Sequence, residues 1–115
     1  MWPCNQAIYL CNEVVDMRKS IDGLSLLVSG SLAQNPASGA LYVFCNRTRT
    51  KIKVLYWDRN GFCLWYKRLE RERFRLPKAD GAVYTLEAHQ LEWLLSGLEV
   101  MKLTGHRRLE YSVFG

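Results

Sequence analysis

A tight turn between two strand-like runs sets the strongest limit on how this chain can fold. The runs KIKVLYW (51–57) and FCLWYKRL (62–69) are rich in β-branched and aromatic residues, which are typical of strands. The turn that joins them reads Asp-Arg-Asn-Gly (58–61), and Asp, Asn and Gly favour a reversal of the chain. The sequence therefore predicts an antiparallel β-hairpin.

The register of this hairpin decides which side chains share a face, because a slip of one residue turns a strand over. A two-residue loop at Asn60 and Gly61 would pair Arg59 with Phe62 and would mix charged and apolar groups on both faces. A type I turn with Gly61 in the left-handed conformation would pair Asp58 with Phe62 instead. The second register is favoured because it leaves one nearly apolar face for the helices.

In the favoured register the two faces differ in character. The apolar face carries Ile52, Val54, Tyr56, Phe62, Leu64 and Tyr66. The basic face carries Lys51, Lys53, Leu55, Trp57, Cys63, Trp65 and Lys67. Lys53 would lie opposite Lys67, and like charges across a strand pair are destabilising unless an anion bridges them. The two tryptophans of this face could stack on bases, or they could form a second small core.

The remaining segments predict a single α+β domain over residues 1–115. Further strands are predicted at 8–15, at the buried run ALYVFC (40–45), at FRL (74–76) and around 109–114 in the otherwise unassigned tail 99–115. Helices are predicted from Asp16, as N-cap, to about Val28, and over 86–98 after a Thr85 cap. This order favours an antiparallel sheet with two main helices packed on one side.

Positive charge is concentrated in about a quarter of the chain. Residues 46–75 contain ten Lys or Arg and three acidic residues, so they carry +7, whereas the whole chain carries +5. Such segregation suggests attraction to a polyanion such as nucleic acid. The candidate contacts of this segment are Arg47, Arg49, Lys51, Lys53, Arg59, Lys67, Arg68, Arg71, Arg73 and Arg75, with Trp57 and Trp65. The arginines of 71–75 could instead protect an edge strand from aggregation.

Other functions find no support in the sequence. No apolar run approaches the roughly 18–20 residues that span a bilayer, and the N-terminus lacks the basic start of a signal peptide, so a cytoplasmic protein without a membrane partner is expected. The four cysteines form no C-x-x-C pair, which predicts free thiols and no metal site. No cofactor motif, nucleophile with a base or convergent set of carboxylates is evident, so no catalytic residues are predicted.

Three segments resemble one protein family. They are VVDMRKSIDGL (14–24), the block ASGALYVFCNRTRTKIKVLYWDRNGFCLWYKRLERERFRLP (37–77) and LEAHQLEWLLSGL (86–98). They are similar to the small accessory protein, called TnpB or Orf-two, of the insertion sequences of the sixty-six class, which is unrelated to the RNA-guided nuclease also named TnpB. The resemblance covers about residues 8–98. Cys45 departs from it, because an Arg is expected there, and this removes one positive charge.

The resemblance implies a part in transposition beside a separate, larger transposase, without catalysis by the small protein itself. By match to the motif, it assigns functional roles to Arg18, Lys19, Arg47, Arg49, Lys51, Lys53, Lys67 and Arg68. It also implies that Trp57, Asp58 and Gly61 hold the hairpin.

Two functions remain open at this point. The first is a DNA-binding accessory factor that contacts the element ends through the basic hairpin. The second is an adaptor that binds the transposase and never touches DNA, since Trp, Tyr and Arg also dominate protein interfaces. RNA in place of DNA is compatible with the same residues.

Overall fold

The computed structural model describes residues 6–77 and 81–97, which form one five-stranded sheet and two helices. The strands are β1 (Ile8–Val14), β2 (Leu41–Cys45), β3 (Lys51–Asp58), β4 (Gly61–Arg68) and β5 (Val83–Leu86). The helices are α1 (Ile21–Ser29) and α2 (Ala88–Leu95). The strand order in the sheet is β4-β3-β2-β1-β5. The predicted strands at 8–15, 40–45, 51–57 and 62–69 are thus confirmed.

The sheet is mixed, so the prediction of a purely antiparallel sheet was wrong. Strand β1 runs parallel to β2, with Ile8 beside Leu41 and Leu10 beside Val43. Parallel neighbours need a crossover connection, and α1 lies between these two strands in the chain and supplies it. The other pairs, β2–β3, β3–β4 and β1–β5, are antiparallel.

The two helices pack on opposite faces of the sheet, so the prediction that they share one side was also wrong. The core on the α1 face includes Leu24, Val28, Tyr42, Phe44 and Leu55. The core on the α2 face includes Leu41, Val43, Ile52, Val54, Phe74, Leu91 and Leu94. Every residue of β2 is buried because this central strand is covered on both faces, which explains its continuous apolar run.

Helix α1 begins later than predicted. Ser20 occupies the N-cap position without a side-chain hydrogen bond, and the helix starts at Ile21. Asp16 instead closes a turn before the helix: its side chain accepts a hydrogen bond from the backbone nitrogen of Arg18, and its carbonyl oxygen accepts one from Lys19. The prediction that Asp16 is the N-cap of this helix was therefore wrong.

The second helix is preceded by a strand that the sequence did not indicate. Thr85, the predicted cap, lies inside β5. The N-cap is Glu87, which forms a capping box with Gln90. Gly97 has φ 86 and follows the last turn, as expected of a glycine that ends a helix. The predicted strand 74–76 is not formed, and the predicted strand around 109–114 lies outside the described residues.

Candidate nucleic-acid interface

The β3–β4 hairpin adopts neither of the two predicted registers. Asp58 pairs with Gly61 and Lys53 pairs with Tyr66, so the loop consists of Arg59 and Asn60. Arg59, and not Gly61, takes the left-handed conformation, with φ 54. Because this register differs by one residue from the favoured one, the side chains of β4 exchange faces relative to those of β3.

The exchange separates the lysines that were expected to converge. Lys67 lies beside Ile52 on the α2 face, where its Nζ atom donates a 2.8 Å hydrogen bond to the carbonyl oxygen of Leu95 in the last turn of α2. Lys53 lies on the α1 face, and its Nζ donates 2.8 Å hydrogen bonds to the carbonyl oxygens of Met17 and Lys19. The predicted face of opposed lysines is therefore absent, and both ammonium groups bind the protein itself.

The two tryptophans are separated in the same way. Trp57 packs edge-on against Phe62, with ring centroids 5.0 Å apart, near the hairpin turn. Trp65 packs on the core of the α2 face. Arg59 is exposed at the turn, one strand length (roughly 25 Å) from the other end of the hairpin. Trp57, Trp65 and Arg59 therefore do not lie together on the basic face that the sequence predicted.

A different basic surface forms at the other end of the sheet. An open concavity of about 870 Å³ is lined by five exposed arginines from two segments of the chain. These five residues, called the arginine cluster below, are Arg47, Arg49, Arg71, Arg73 and Arg75. Glu72 is the one acidic residue among the described residues that line it. Within 6–77 and 81–97, no carboxylate forms an ion pair with any of the five.

Residues 69–76 lack regular secondary structure but are fixed beside the β2–β3 turn. The backbone nitrogen of Leu69 donates a 2.8 Å hydrogen bond to the carbonyl oxygen of Thr50, and that of Phe74 donates a 2.7 Å bond to Arg49. The Phe74 side chain is 1% exposed and packs in the core of the α2 face. Phe74 therefore anchors the segment, while Arg73 and Arg75 on either side of it remain in solvent.

The β2–β3 turn is organised by a side-chain network that sequence reasoning missed. The Asn46 side-chain oxygen accepts hydrogen bonds from the backbone nitrogens of Thr50 and Lys51 at 2.9 and 3.0 Å. Its amide nitrogen donates to the hydroxyls of Thr48 and Thr50 at 3.1 and 3.2 Å. The signal was the repeated spacing of Asn, Thr and Thr in N-R-T-R-T, because such side chains often stabilise turns.

Two further concavities adjoin this turn. One, of about 640 Å³, is lined by residues that include Val14, Arg18, Arg47, Lys51 and Tyr66. The other, of about 480 Å³, is lined by residues that include Cys11, Glu13, Cys45, Arg47 and Arg49. Arg47 borders all three concavities, so the β2–β3 turn lies at the centre of this end of the molecule.

Three of the predicted basic contacts are paired with carboxylates, and the longest of these ion pairs joins Arg59 to Asp58 at 3.9 Å. Arg18 forms a bidentate pair with Asp16, with 2.6 Å between Nη2 and Oδ2, and these hydrogen bonds lower the pKa of the Asp16 carboxyl to about 2. Arg68 pairs with Glu70 at 2.9 Å. Lys19 is exposed beside Arg18. The structure thus brings the arginine cluster together and places Lys51 and the paired Arg18 beside it. Lys53 and Lys67 instead bind backbone carbonyl oxygens of the protein.

The cysteines of the described segments are free thiols. Cys45 is 2% exposed, and burial raises the pKa of its thiol to about 11. In the part of the chain that the structure describes, no group of three or more His, Cys, Asp or Glu side chains could hold a metal ion. Neither helix within these segments has the length and apolar character of a membrane span.

Comparison with known proteins places most of the chain in one family. The model of the family described as IS66 Orf2 like protein matches residues 6–105. The uncharacterized protein y4hO of Sinorhizobium fredii is 38% identical over 95 residues, which cover 83% of each chain. The uncharacterized protein y4jC of the same organism is 31% identical over 93 residues, covering 80% of this chain and 79% of the relative. No solved structure matches the chain significantly.

Proposed function

The chain belongs to the family of IS66 Orf2-like proteins, and we propose that it is a non-catalytic accessory protein of transposition that binds DNA through its arginine cluster. The observation that carries the proposal is the convergence of five exposed arginines on one concavity, where Glu72 is the single carboxylate among the described lining residues. Like charges gathered at this density repel one another, and a bound polyanion would relieve the repulsion.

The chemistry of the cluster suits phosphate groups. Guanidinium groups bind phosphate oxygens through two parallel hydrogen bonds, and they stay charged at every physiological pH. The Asn46 network and the Phe74 anchor hold both segments of the cluster before any ligand arrives. Such preorganisation favours binding, because less conformational freedom is lost on association.

Salt dependence of DNA binding tests this proposal. Fluorescence anisotropy with a duplex of the element end should give binding at low salt. If the five arginines contact five phosphates, log affinity should fall with log salt at a slope of roughly −4 to −5. Replacing Arg71, Arg73 and Arg75 together by Gln should reduce the steepness by about three, whereas the control Lys67→Gln should leave it unchanged. Absence of binding at low salt, or equal slopes for all three proteins, would overturn the proposal.

An adaptor that binds the transposase without contacting DNA is the second candidate function. The observation that favours it is the attachment of Lys53 and Lys67 to backbone carbonyls, because two of the predicted DNA contacts are then occupied within the protein. Capture of the purified transposase after nuclease treatment, in high-salt buffer, separates the two functions. An adaptor keeps its partner under those conditions, whereas a complex bridged by DNA dissociates.

A further inference from the structure

A half-exposed aromatic ring lies next to the arginine cluster. Tyr66 is 48% exposed and Val14 is 55% exposed, and both line the concavity of about 640 Å³ on the α1 side of the β2–β3 turn. Val15 and Met17 line the same concavity, which gives it an apolar portion. This concavity is called the Tyr66 concavity below.

The Lys53 ammonium group lies over the Tyr66 ring, while the residue stays half-exposed. Tyr66 is the direct cross-strand partner of Lys53, whose Nζ atom lies 5.6 Å from the ring centroid. The same Nζ is hydrogen-bonded to the carbonyl oxygens of Met17 and Lys19. A cation held over an aromatic ring stabilises the position of that ring. Lys53 therefore positions Tyr66 and is not itself available to a ligand.

The Tyr66 concavity adjoins the concavity of the arginine cluster. Arg47 and Thr48 line both the Tyr66 concavity and the concavity of the cluster. Lys51 and Arg18 add positive charge to the border of the Tyr66 concavity. Asp16, the one carboxylate that lines it within the described part of the chain, is already paired with Arg18. A DNA strand whose phosphates bind the arginine cluster would thus extend past Arg47 and Lys51 to the apolar part of the Tyr66 concavity.

We infer that the Tyr66 concavity accepts an unpaired nucleobase, so that the preferred ligand of this surface is DNA with a single-stranded segment. This inference rests on the proposed function, because the arginine cluster must hold the adjoining phosphates. A base inside a duplex is stacked on its neighbours and cannot lie on a protein ring, whereas an unpaired base can. Aromatic rings beside basic grooves bind single strands in this way without sequence preference.

The charge around the ring favours a nucleotide over a peptide segment. An apolar peptide would gain little from Arg47 and Lys51, which border the Tyr66 concavity. A nucleotide offers a flat ring and a phosphate within one repeating unit, and this combination matches the ring of Tyr66 beside basic side chains. If this concavity accepts a peptide in place of a base, Tyr66→Leu should bind all three DNA ligands of the test below as the unmodified protein does, and this result would overturn the inference.

The test compares three DNA ligands of equal length: a single strand, a blunt duplex and a duplex with a single-stranded overhang. Tyr66→Leu should weaken binding of the single strand and the overhang about 5- to 150-fold, the range that one stacked base contributes. It should change affinity for the blunt duplex less than twofold. Tyr66→Phe keeps the ring and should bind as the unmodified protein does. Leu26→Ala, at a 71% exposed position on α1, is the control for loss of an apolar side chain.

A measurement on the unmodified protein covers the case in which Tyr66→Leu fails to fold. Single strands that carry the fluorescent base 2-aminopurine at successive positions should show quenching at one or two positions only, because stacking on an aromatic ring quenches this base. Uniform emission at every position would overturn the inference, as would an equal loss of single-strand and duplex binding in Tyr66→Leu. If the duplex still binds with a steep salt dependence, the proposed function stands although the inference fails; if no DNA binds, both fail.

Discussion

The backbone nitrogen of Phe74 donates a 2.7 Å hydrogen bond to the carbonyl oxygen of Arg49. This bond joins the β2–β3 turn to the segment that follows β4, although the two residues are far apart in sequence. Through it, two arginines of the turn and three of the later segment line one concavity. The candidate site therefore depends on the attachment of residues 69–76 to the turn, to which the Leu69–Thr50 bond and the buried Phe74 side chain also contribute, and each part of that attachment can be tested.

Removal of the Phe74 ring should release the later segment from the sheet. Phe74 is 1% exposed, so Phe74→Ala should lower the free energy of unfolding by about 3–5 kcal/mol, as truncation of buried aromatic residues generally does. Urea denaturation measures this change. Phe74→Leu retains most of the buried volume and should cost clearly less. A loss below about 1 kcal/mol for Phe74→Ala would show that the ring is not an anchor.

Asn46 should be more important for stability than a comparable asparagine elsewhere. Its side chain takes part in four hydrogen bonds within the β2–β3 turn, so Asn46→Ala should lower the free energy of unfolding by about 1–3 kcal/mol. Asn60→Ala, in the exposed turn between β3 and β4, is the matched control and should change stability by less than about 0.5 kcal/mol. Equal effects of the two substitutions in thermal or urea unfolding would contradict the role given to Asn46.

Lys67 should contribute to stability and not to DNA binding. Its ammonium group binds the carbonyl oxygen of Leu95, where the negative end of the helix dipole favours a cation. Lys67→Met should therefore lower the free energy of unfolding by about 1 kcal/mol. The salt dependence of DNA binding should stay the same in this variant. A slope reduced by about one would show instead that Lys67 contacts a phosphate.

The Asp16–Arg18 pair should respond to acid in a defined direction. Hydrogen bonds from Arg18 lower the pKa of the Asp16 carboxyl from 3.8 to about 2, so the pair is fully formed above pH 3.8. Its contribution to stability is lost as the pH falls from 3.8 through about 2, because protonation then removes the charge that Arg18 binds. Carbon-13 NMR of the carboxyl group should show a midpoint near 2, and Arg18→Gln should raise it towards 3.8. A midpoint near 3.8 in the unmodified protein would contradict this pairing.

The elements of the sheet could be predicted from local sequence, but their arrangement could not. The alternation in 51–57 and 62–69 and the apolar run in 40–45 indicated strands correctly, because both patterns follow from burial within a strand. The parallel pairing of β1 with β2 depends on the path of α1 across the sheet, which no local pattern records. The predicted register of the β3–β4 hairpin was wrong because the left-handed conformation was assigned to Gly61, whereas Arg59 adopts it.

The candidate site was only half predictable for a related reason. The concentration of charge in 46–75 pointed to the part of the chain that carries the arginine cluster, since all five of its arginines lie within it. Tertiary contacts decide which Lys and Arg side chains of this segment are exposed to solvent and which bind the protein itself. Lys53 and Lys67 reach carbonyl oxygens of distant segments, and those contacts follow from packing of helices on both faces.

One comparison of two charge-matched variants tests the central claim, that the arginine cluster and not the net charge binds DNA. Arg49 and Arg59 are both exposed turn residues with left-handed backbones, at φ 62 and φ 54, so Gly at either position removes one charge and suits the backbone. Arg49→Gly also retains the carbonyl that binds Phe74. The measurement is the slope of log affinity against log salt for duplex DNA. If the cluster binds DNA, the slope should be less steep by about one for Arg49→Gly and unchanged for Arg59→Gly. Equal slopes for the two variants would show that net charge alone governs binding.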